Sequence, residues 1–454
     1  MSQVKYQATR LNPEGKKALF GAYIGFTIDM IDVYLPIIAL APAMIYFQPE
    51  DISPTASITI YYVLFVLSLI GRPLGSFIFG HYGDKIGRKR TLLITLAGLT
   101  VSTFLMALLP GYSTWGLWGI IIFGILRFLS GIFMGGEYTA ANPLAMEYSP
   151  PNKRGLFGAM INAGGPTGLL FVSLITTLLL SILPSGDANS VYSVWGWRIP
   201  FVLSALFSLG LFIYYARKVE ESKVWKENAS KTSNSDQSPL KDLFTGENFK
   251  NLKQVFVLMT GVWFILNAVV SSLPGILKVL DVEIQQITNT QLVANALCIP
   301  MYILAGYLSQ KLGRRTMLSF FGIVCFTITP ILYFWLLSNG YKNSALLIVL
   351  VTIINILAQS IYGILTSYLA ERFQTGVRAS GYGIGYSLAI VIPSFTPFFM
   401  LALGNIMPYV YTPIVILVIG GVFTTIGALI GPETKDIVFT NSKQNQSDTV
   451  LAAK

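Results

Sequence analysis

Charge is scarce in this chain. Asp, Glu, Lys and Arg make up 11% of its 454 residues, and hydrophobic residues make up 53%. A soluble domain carries about 25% charge, so the shortage excludes a water-facing surface over most of the molecule. Histidine occurs once, as His81, and cysteine twice, as Cys298 and Cys325. So few ligands leave no basis for a metal cluster, a disulfide framework or a nucleophile–base set. Neither metal nor cofactor is expected, nor is a membrane-embedded enzyme. The two thiols read as small core residues. His81 reads as an interfacial side chain at a helix end.

What the chain has is apolar runs of the length that crosses a bilayer, about 20 residues. They predict twelve helices, near 18–47, 57–80, 91–110, 115–146, 156–184, 196–216, 254–277, 287–309, 316–338, 343–370, 379–404 and 409–430. The first is a retained helix rather than a signal peptide. It is too long for an h-region, it contains Asp29 and Asp32, and no small-residue cleavage site follows. An even number of crossings puts both termini on one side.

Of the 31 Lys and Arg, all but Arg72, Arg127, Arg198, Lys278 and Lys342 fall in the termini, the even-to-odd helix turns and the long middle segment. The positive-inside bias makes those regions cytoplasmic. The net charge of +10 therefore reports topology. Its spread over separate short turns gives no surface for nucleic acid. The expected setting is the plasma membrane, as a multi-pass chain with both termini cytoplasmic.

One long polar interruption, 218–253, reads as a cytoplasmic linker with a short amphipathic helix. It divides the chain into a six-helix half at 1–217, a second at 254–431, and a cytoplasmic tail at 432–454. The halves repeat. GHYGDKIGRK from Gly80 recurs as GYLSQKLGRR from Gly306, and EYSPPNKRG from Glu147 recurs loosely as ERFQTGVRASG from Glu371. Two motifs sharing nearly one offset, 226 and 224 residues, argue for duplication of a six-helix unit. Two such halves are a transporter architecture, with the substrate site between them near the midplane.

The repeated turn also suggests a device. Gly80 allows close backbone approach, Gly87 a tight turn, and Arg88 with its basic neighbours anchors the turn at the surface. Asp84 is left to dock on a neighbouring helix end or an arginine, a contact that forms in one conformation and breaks in another. The expected latch comprises Gly80, Asp84, Gly87, Arg88, Glu147, Arg154, Glu371 and Arg378. In the second copy the acid is replaced by Gln310, which predicts a weaker latch there.

Ionisable residues within the helices are functional candidates, because each costs at least about 2.5–3.5 kcal/mol to insert. Asp29 and Asp32 project from one face of helix 1 at mid-depth, and Arg127 reaches the same depth on helix 4. An aspartate beside an arginine can change protonation as substrate or water arrives, which is what coupling requires. Asp29 and Asp32 are the expected proton-coupling pair; the alternatives are a purely structural Asp–Arg pair, or one coupling and one structural aspartate in either assignment. Arg127, Tyr138 and Asn142 on one stripe of helix 4, Trp263 and Asn267 on helix 7, and Asn355, Gln359 and Tyr362 on helix 10 are the expected substrate contacts. Arg72 reads as structural, five residues inside the cytoplasmic end of helix 2, within reach of Glu137 or Glu147. Glu137 divides evenly between packing and function.

The Gly80–Lys89 pattern resembles the signature between helices 2 and 3 of the major facilitator superfamily. RPLGSFIFGHYGDKIGRK, GGEYTAANPLAMEYSPPNKRG and WGWRIPF together resemble its metabolite:proton symporters. PETK at Pro432 is similar to the tail of sugar porters, but helix 7 lacks that family's paired glutamines. INAGGPTGLL in helix 5 partly resembles an antiporter motif. The resemblance implies an all-α membrane protein of twelve transmembrane helices in two pseudo-symmetric halves, the major facilitator fold. It further implies a monomeric, proton-coupled symporter working by alternating access on a small molecule. Arg127 points to an organic acid, because a guanidinium matches a carboxylate, provided the aspartates leave it charge to give. A betaine or sugar, an antiporter or facilitator, and a non-transporting solute receptor are the alternatives.

Overall fold

The computed structural model describes residues 11–49, 51–52, 54–222, 225–226 and 239–439. Part of the expected linker, both chain termini and the expected tail from 440 onward lie outside these residues. Among the described residues all regular structure is helical, and twelve helices are long and apolar enough to span a membrane. They are α1 (Pro13–Phe47), α2 (Val63–Lys85), α3 (Arg88–Ala107), α4 (Leu117–Tyr148), α5 (Pro151–Ile182) and α6 (Tyr192–Lys218), then α7 (Gly246–Val279), α8 (Gln285–Leu312), α9 (Arg314–Ser338), α10 (Ser344–Arg372), α11 (Thr375–Leu403) and α12 (Tyr409–Leu429).

Local chemistry sets the ends. Asn12 accepts from the Gly15 amide at 2.6 Å with Pro13 behind it, which starts α1. Gly87, with φ of 110°, separates α2 from α3, and Gly313, with φ of 105°, separates α8 from α9 in the repeat. A residue bearing Cβ is strained at such angles. Each turn is closed by a distant glutamate. Glu221 accepts from the amides of Arg88 and Lys89 at 3.1 and 3.0 Å, and Glu433 from those of Arg314 and Arg315 at 2.8 and 3.1 Å. A carboxylate there satisfies amides that no helical carbonyl reaches.

The two halves meet along α2 and α11, α5 and α8, α5 and α10, and α4 and α11. The corresponding first helices of each half, α1 and α7, both loosen into a π-helical turn, at Leu35–Leu40 and Asn267–Ser271. α5 is interrupted at Ala163, in the glycine- and proline-rich stretch. α2 continues to Lys85, so Gly80 and Gly83 lie inside it rather than at its end. α7 starts at Gly246, eight residues before its apolar run, after a short helix at Pro239–Leu243. Hydropathy marks only the lipid-immersed part of a helix, and both continue beyond it as polar turns.

Candidate functional site: a central cavity and the latches that close one end

Between the halves lies a narrow cavity of about 30 Å3. α1 contributes Phe26, Met30 and Tyr34, and α5 contributes Asn162 and Pro166. Facing them are Trp263 of α7, Tyr302 of α8, Gln359 and Tyr362 of α10 and Tyr386 of α11. The C-terminal wall is an aromatic box. Trp263 meets Tyr386 edge-on with centroids 5.2 Å apart, and Tyr302 stacks on Tyr362 at 6.2 Å. Hydrogen bonds set these rings: the Trp263 indole donates to the Tyr386 carbonyl at 3.0 Å, and the Tyr302 hydroxyl to Gln359 at 3.1 Å. The Tyr362 and Tyr386 hydroxyls have no partner.

Of the expected substrate contacts, Trp263, Gln359 and Tyr362 line this cavity. Asn355 stands behind Gln359, accepting its amide at 2.7 Å, and Asn267 donates to the Trp263 carbonyl at 2.9 Å. Tyr138 packs against Tyr386 at 5.0 Å, and Asn142 donates to the Tyr382 hydroxyl at 2.8 Å. The small-and-polar stripe of α4 is thus not one cavity surface. Gly131 and Gly135 face the α2 backbone at Ser68 and Arg72, because helices approach this closely only where Cβ is missing.

Arg127 is engaged through both terminal nitrogens, while its Nε has no partner among the described residues. It donates to the Asp32 carboxylate at 2.7 Å, the Asp32 carbonyl at 3.0 Å and Ser68 Oγ at 2.8 Å. Thr103 Oγ1 holds the other Asp32 oxygen at 2.8 Å. Asp29, one turn away on the same helix, is 0% exposed and meets only the carboxyl of Glu137 among the described residues. The two aspartates are therefore unlike.

Arg72 departs from its expected place. It lies 13 residues before the end of α2, about 20 Å along the helix, because α2 runs further than its apolar stretch. It is 1% exposed, donates to Met134 Sδ at 2.8 Å, and belongs to no ion pair among the described residues. The cavity tyrosines Tyr34, Tyr362 and Tyr386 lie in its electrostatic reach, as does Asp29.

The basic turns gather at one end of the bundle, where the expected latch residues meet. Asp84 docks on the start of α11, accepting from the amides of Ala379 and Ser380 at 3.1 and 2.9 Å and from Ser380 Oγ at 2.7 Å. Each half's glutamate pairs with the other half's arginine: Glu147 with Arg378 at 2.7 Å, and Glu371 with Arg154 at 3.7 Å. Arg88 and Arg314 brace those glutamates from their own halves, at 2.9 and 3.2 Å. In the second copy Gln310 accepts from one amide, Gly155 at 3.1 Å, where Asp84 accepts from two.

Several parts of this closure were not visible as motifs. Phe439 lies over the guanidiniums of both Arg154 and Arg378, at 3.6 and 3.8 Å, and so bridges the halves. Arg154 also donates to the Ile437 carbonyl at 2.8 Å. The capping glutamates sit in VEES and PETK, and only their matching positions after α6 and α12 hinted at them.

The family model of the Major Facilitator Superfamily matches residues 20–397. The chain belongs to this superfamily. It is 30% identical over 394 residues to an inner membrane metabolite transport protein, YhjE, of Escherichia coli K12, with 83% of this chain and 84% of that one covered. It is 28% identical to the proline/betaine transporter of the same organism, covering 89% and 82%, and 27% identical to its shikimate transporter, covering 86% and 87%. Among solved structures it is similar to the proton:xylose symporter XylE bound to 6-bromo-6-deoxy-D-glucose. There the TM-score is 0.76 at 18% identity, over 96% of this chain and 98% of that one. The relatives are transporters and not enzymes, and this chain is a multi-pass membrane transporter of the same superfamily.

Proposed function

We propose that this protein is a proton-coupled symporter of a small organic acid, working by alternating access between its halves at 1–217 and 254–431. The observation that carries the reading is Arg72, a buried guanidinium in no ion pair among the described residues, which does not line the cavity but acts electrostatically on its tyrosines Tyr34, Tyr362 and Tyr386. An unpaired buried cation is costly, and a bound carboxylate relieves that cost. Arg127, with its charge already met by Asp32, serves as the fixed point of the N-terminal half. Asp29 is the coupling carboxyl: a substrate anion on Arg72 takes that cation's charge away from it, and a proton on Asp29 restores the balance.

The end bearing the basic turns faces the cytoplasm in this reading, with both termini there and the protein acting as a monomer in the plasma membrane. The latch is then shut on the cytoplasmic side, and the cavity is loaded from outside. Transport requires these contacts to break and those at the outer end to form.

A zwitterion is the second reading, favoured by the aromatic box. Trp263, Tyr302, Tyr362 and Tyr386 line the cavity with aromatic rings, a lining that attracts a quaternary or secondary ammonium, with its carboxylate on Arg72. Relatives named for proline and betaine agree with it. A sugar has less support, since the charged group at Arg72 would then be unmet.

The test is uptake of labelled carboxylates, betaines and sugars into proteoliposomes, with and without an inward proton gradient, for the wild type and Arg72→Gln. Accumulation of an acid or betaine only with the gradient, lost in the variant, supports the reading. A neutral sugar carried equally by both proteins would overturn it.

A further inference from the structure

α1 carries a ladder of buried polar groups that neither the cavity nor the latches use. Gly21, Gly25 and Asp29 recur every fourth residue, so they share one face of the helix. Over Gly25 lies the carboxyl of Glu137 from α4, with Oε1 where a Cβ would be, and over Gly21 lies the Tyr215 hydroxyl from α6. Each of these side chains is at most 1% exposed. The Asp29 and Glu137 carboxyls meet each other through a side-chain hydrogen bond, while the Asp29 oxygens and Glu137 Oε1 have no other partner among the described residues, nor has the Tyr215 hydroxyl. Two buried carboxyls set against each other are not what packing alone selects, because bringing two acids together away from water is costly.

The surroundings explain why these acids are not simply ion-paired. Glu137, Arg72 on α2 and Asp32 on its own helix are the charged groups that act on Asp29. Arg72 is held on Met134, and Asp32 is taken by Arg127. Tyr138 lies in reach of Asp29, and Tyr215 and Tyr382 in reach of Glu137. No lysine or arginine among the described residues makes an ion pair with either acid.

We propose that Asp29 and Glu137 form one proton-carrying site, a carboxyl pair along α1 that passes the transported proton through the interior of the N-terminal half. Two carboxyls side by side, away from water, keep their joint charge low by sharing a proton. The step balances simply. Protonated Asp29 gives its proton to the Glu137 carboxylate, which leaves Asp29 as the carboxylate and the pair's charge unchanged. Glu137 and then Tyr215 lie successively nearer the basic end of α1. The inference rests on the proton-coupled reading and assigns it a second residue.

The test pairs two readouts on Glu137→Gln, Asp29→Asn and Gly25→Ala, the last of which keeps both acids and wedges them apart. Infrared difference spectra of the purified protein between acid and alkaline media need no substrate. The site predicts a buried carboxylic acid band in the wild type, absent from one acid variant and shifted in the other and in Gly25→Ala. In proteoliposomes, with labelled proline, glycine betaine and shikimate as probes, Glu137→Gln should keep wild-type exchange but lose accumulation driven by the proton gradient. Retained exchange also shows that the variant is folded. If the wild type follows the gradient and Glu137→Gln follows it equally, or if the Asp29 band ignores Glu137→Gln, the pair is wrong and the coupled reading stands. A wild type that carries a probe but ignores the gradient overturns both.

Discussion

Two aspartates three residues apart on one helix have unlike surroundings. Asp32 is enclosed by Arg127, Thr103 and Ser130, and Asp29 is met only by the carboxyl of Glu137. Replacing Asp32 with Ala strands Arg127 in the interior, and the expected cost is about 3–5 kcal/mol of stability. Thermal or denaturant unfolding in detergent should show that loss, and Asp29→Asn should show little. Arg72→Gln should cost about 2–5 kcal/mol in binding a carboxylate, as a buried charge pair does when one partner is truncated. Equilibrium binding to the purified protein measures this, and unchanged affinity would return the anion site to Arg127. At this scale the sequence was legible where charge stood out against lipid. Asp29, Asp32 and Arg127 could be found by composition alone. Their pairing could not, because helical spacing fixes which residues share a face and says nothing about which neighbour a side chain meets. The aromatic box was partly hidden for the same reason: Tyr302 and Tyr386 look like any other tyrosines in apolar runs.

The turns and helix ends hold the contacts that join the two halves at the basic end. Asp84 meets two amides and a hydroxyl of α11, and Gln310 meets a single amide of α5. A carboxylate at a helix start contributes roughly 0.3–1 kcal/mol beyond a neutral group. Asp84→Asn should therefore open the latched end in a larger share of molecules, and Gln310→Glu should keep it shut and slow transport. Spin labels at the exposed Asn152 and Gln374, on opposite halves, report this as a longer distance in the first variant and a shorter, narrower one in the second. Equal distance distributions in all three proteins would remove the latch role. The smaller number of amide contacts in the second copy was expected from the Asp-to-Gln change between the repeats. The crossed pairing of Glu147 with Arg378 and Glu371 with Arg154 was not, since the repeat shows the residues but not that the halves exchange partners.

For the whole molecule, duplication explains most of what was readable. Twelve apolar runs and two motifs at nearly one offset carry the fold, because lipid forces each crossing into a helix that satisfies its own backbone. The tail after α12 was harder to place, and it acts on both halves at once. Phe439 covers Arg154 of one half and Arg378 of the other, so the last described residue of the chain secures the closure. Phe439→Ala should raise the rate of exchange by releasing that contact, with substrate affinity unchanged. Counterflow kinetics measure it, and a slower exchange would mean that the ring helps the halves move instead.

The central claim is that substrate and proton cross together, in one direction, through this pair of halves. The most direct test adds an outside pulse of substrate to weakly buffered proteoliposomes held at zero potential and reads the external pH. The account predicts that the medium turns alkaline as protons enter with substrate, and that Asp29→Asn abolishes the change while still exchanging substrate. An unchanged pH during clear uptake, or a medium that turns acidic, would contradict it and leave a facilitator or an antiporter.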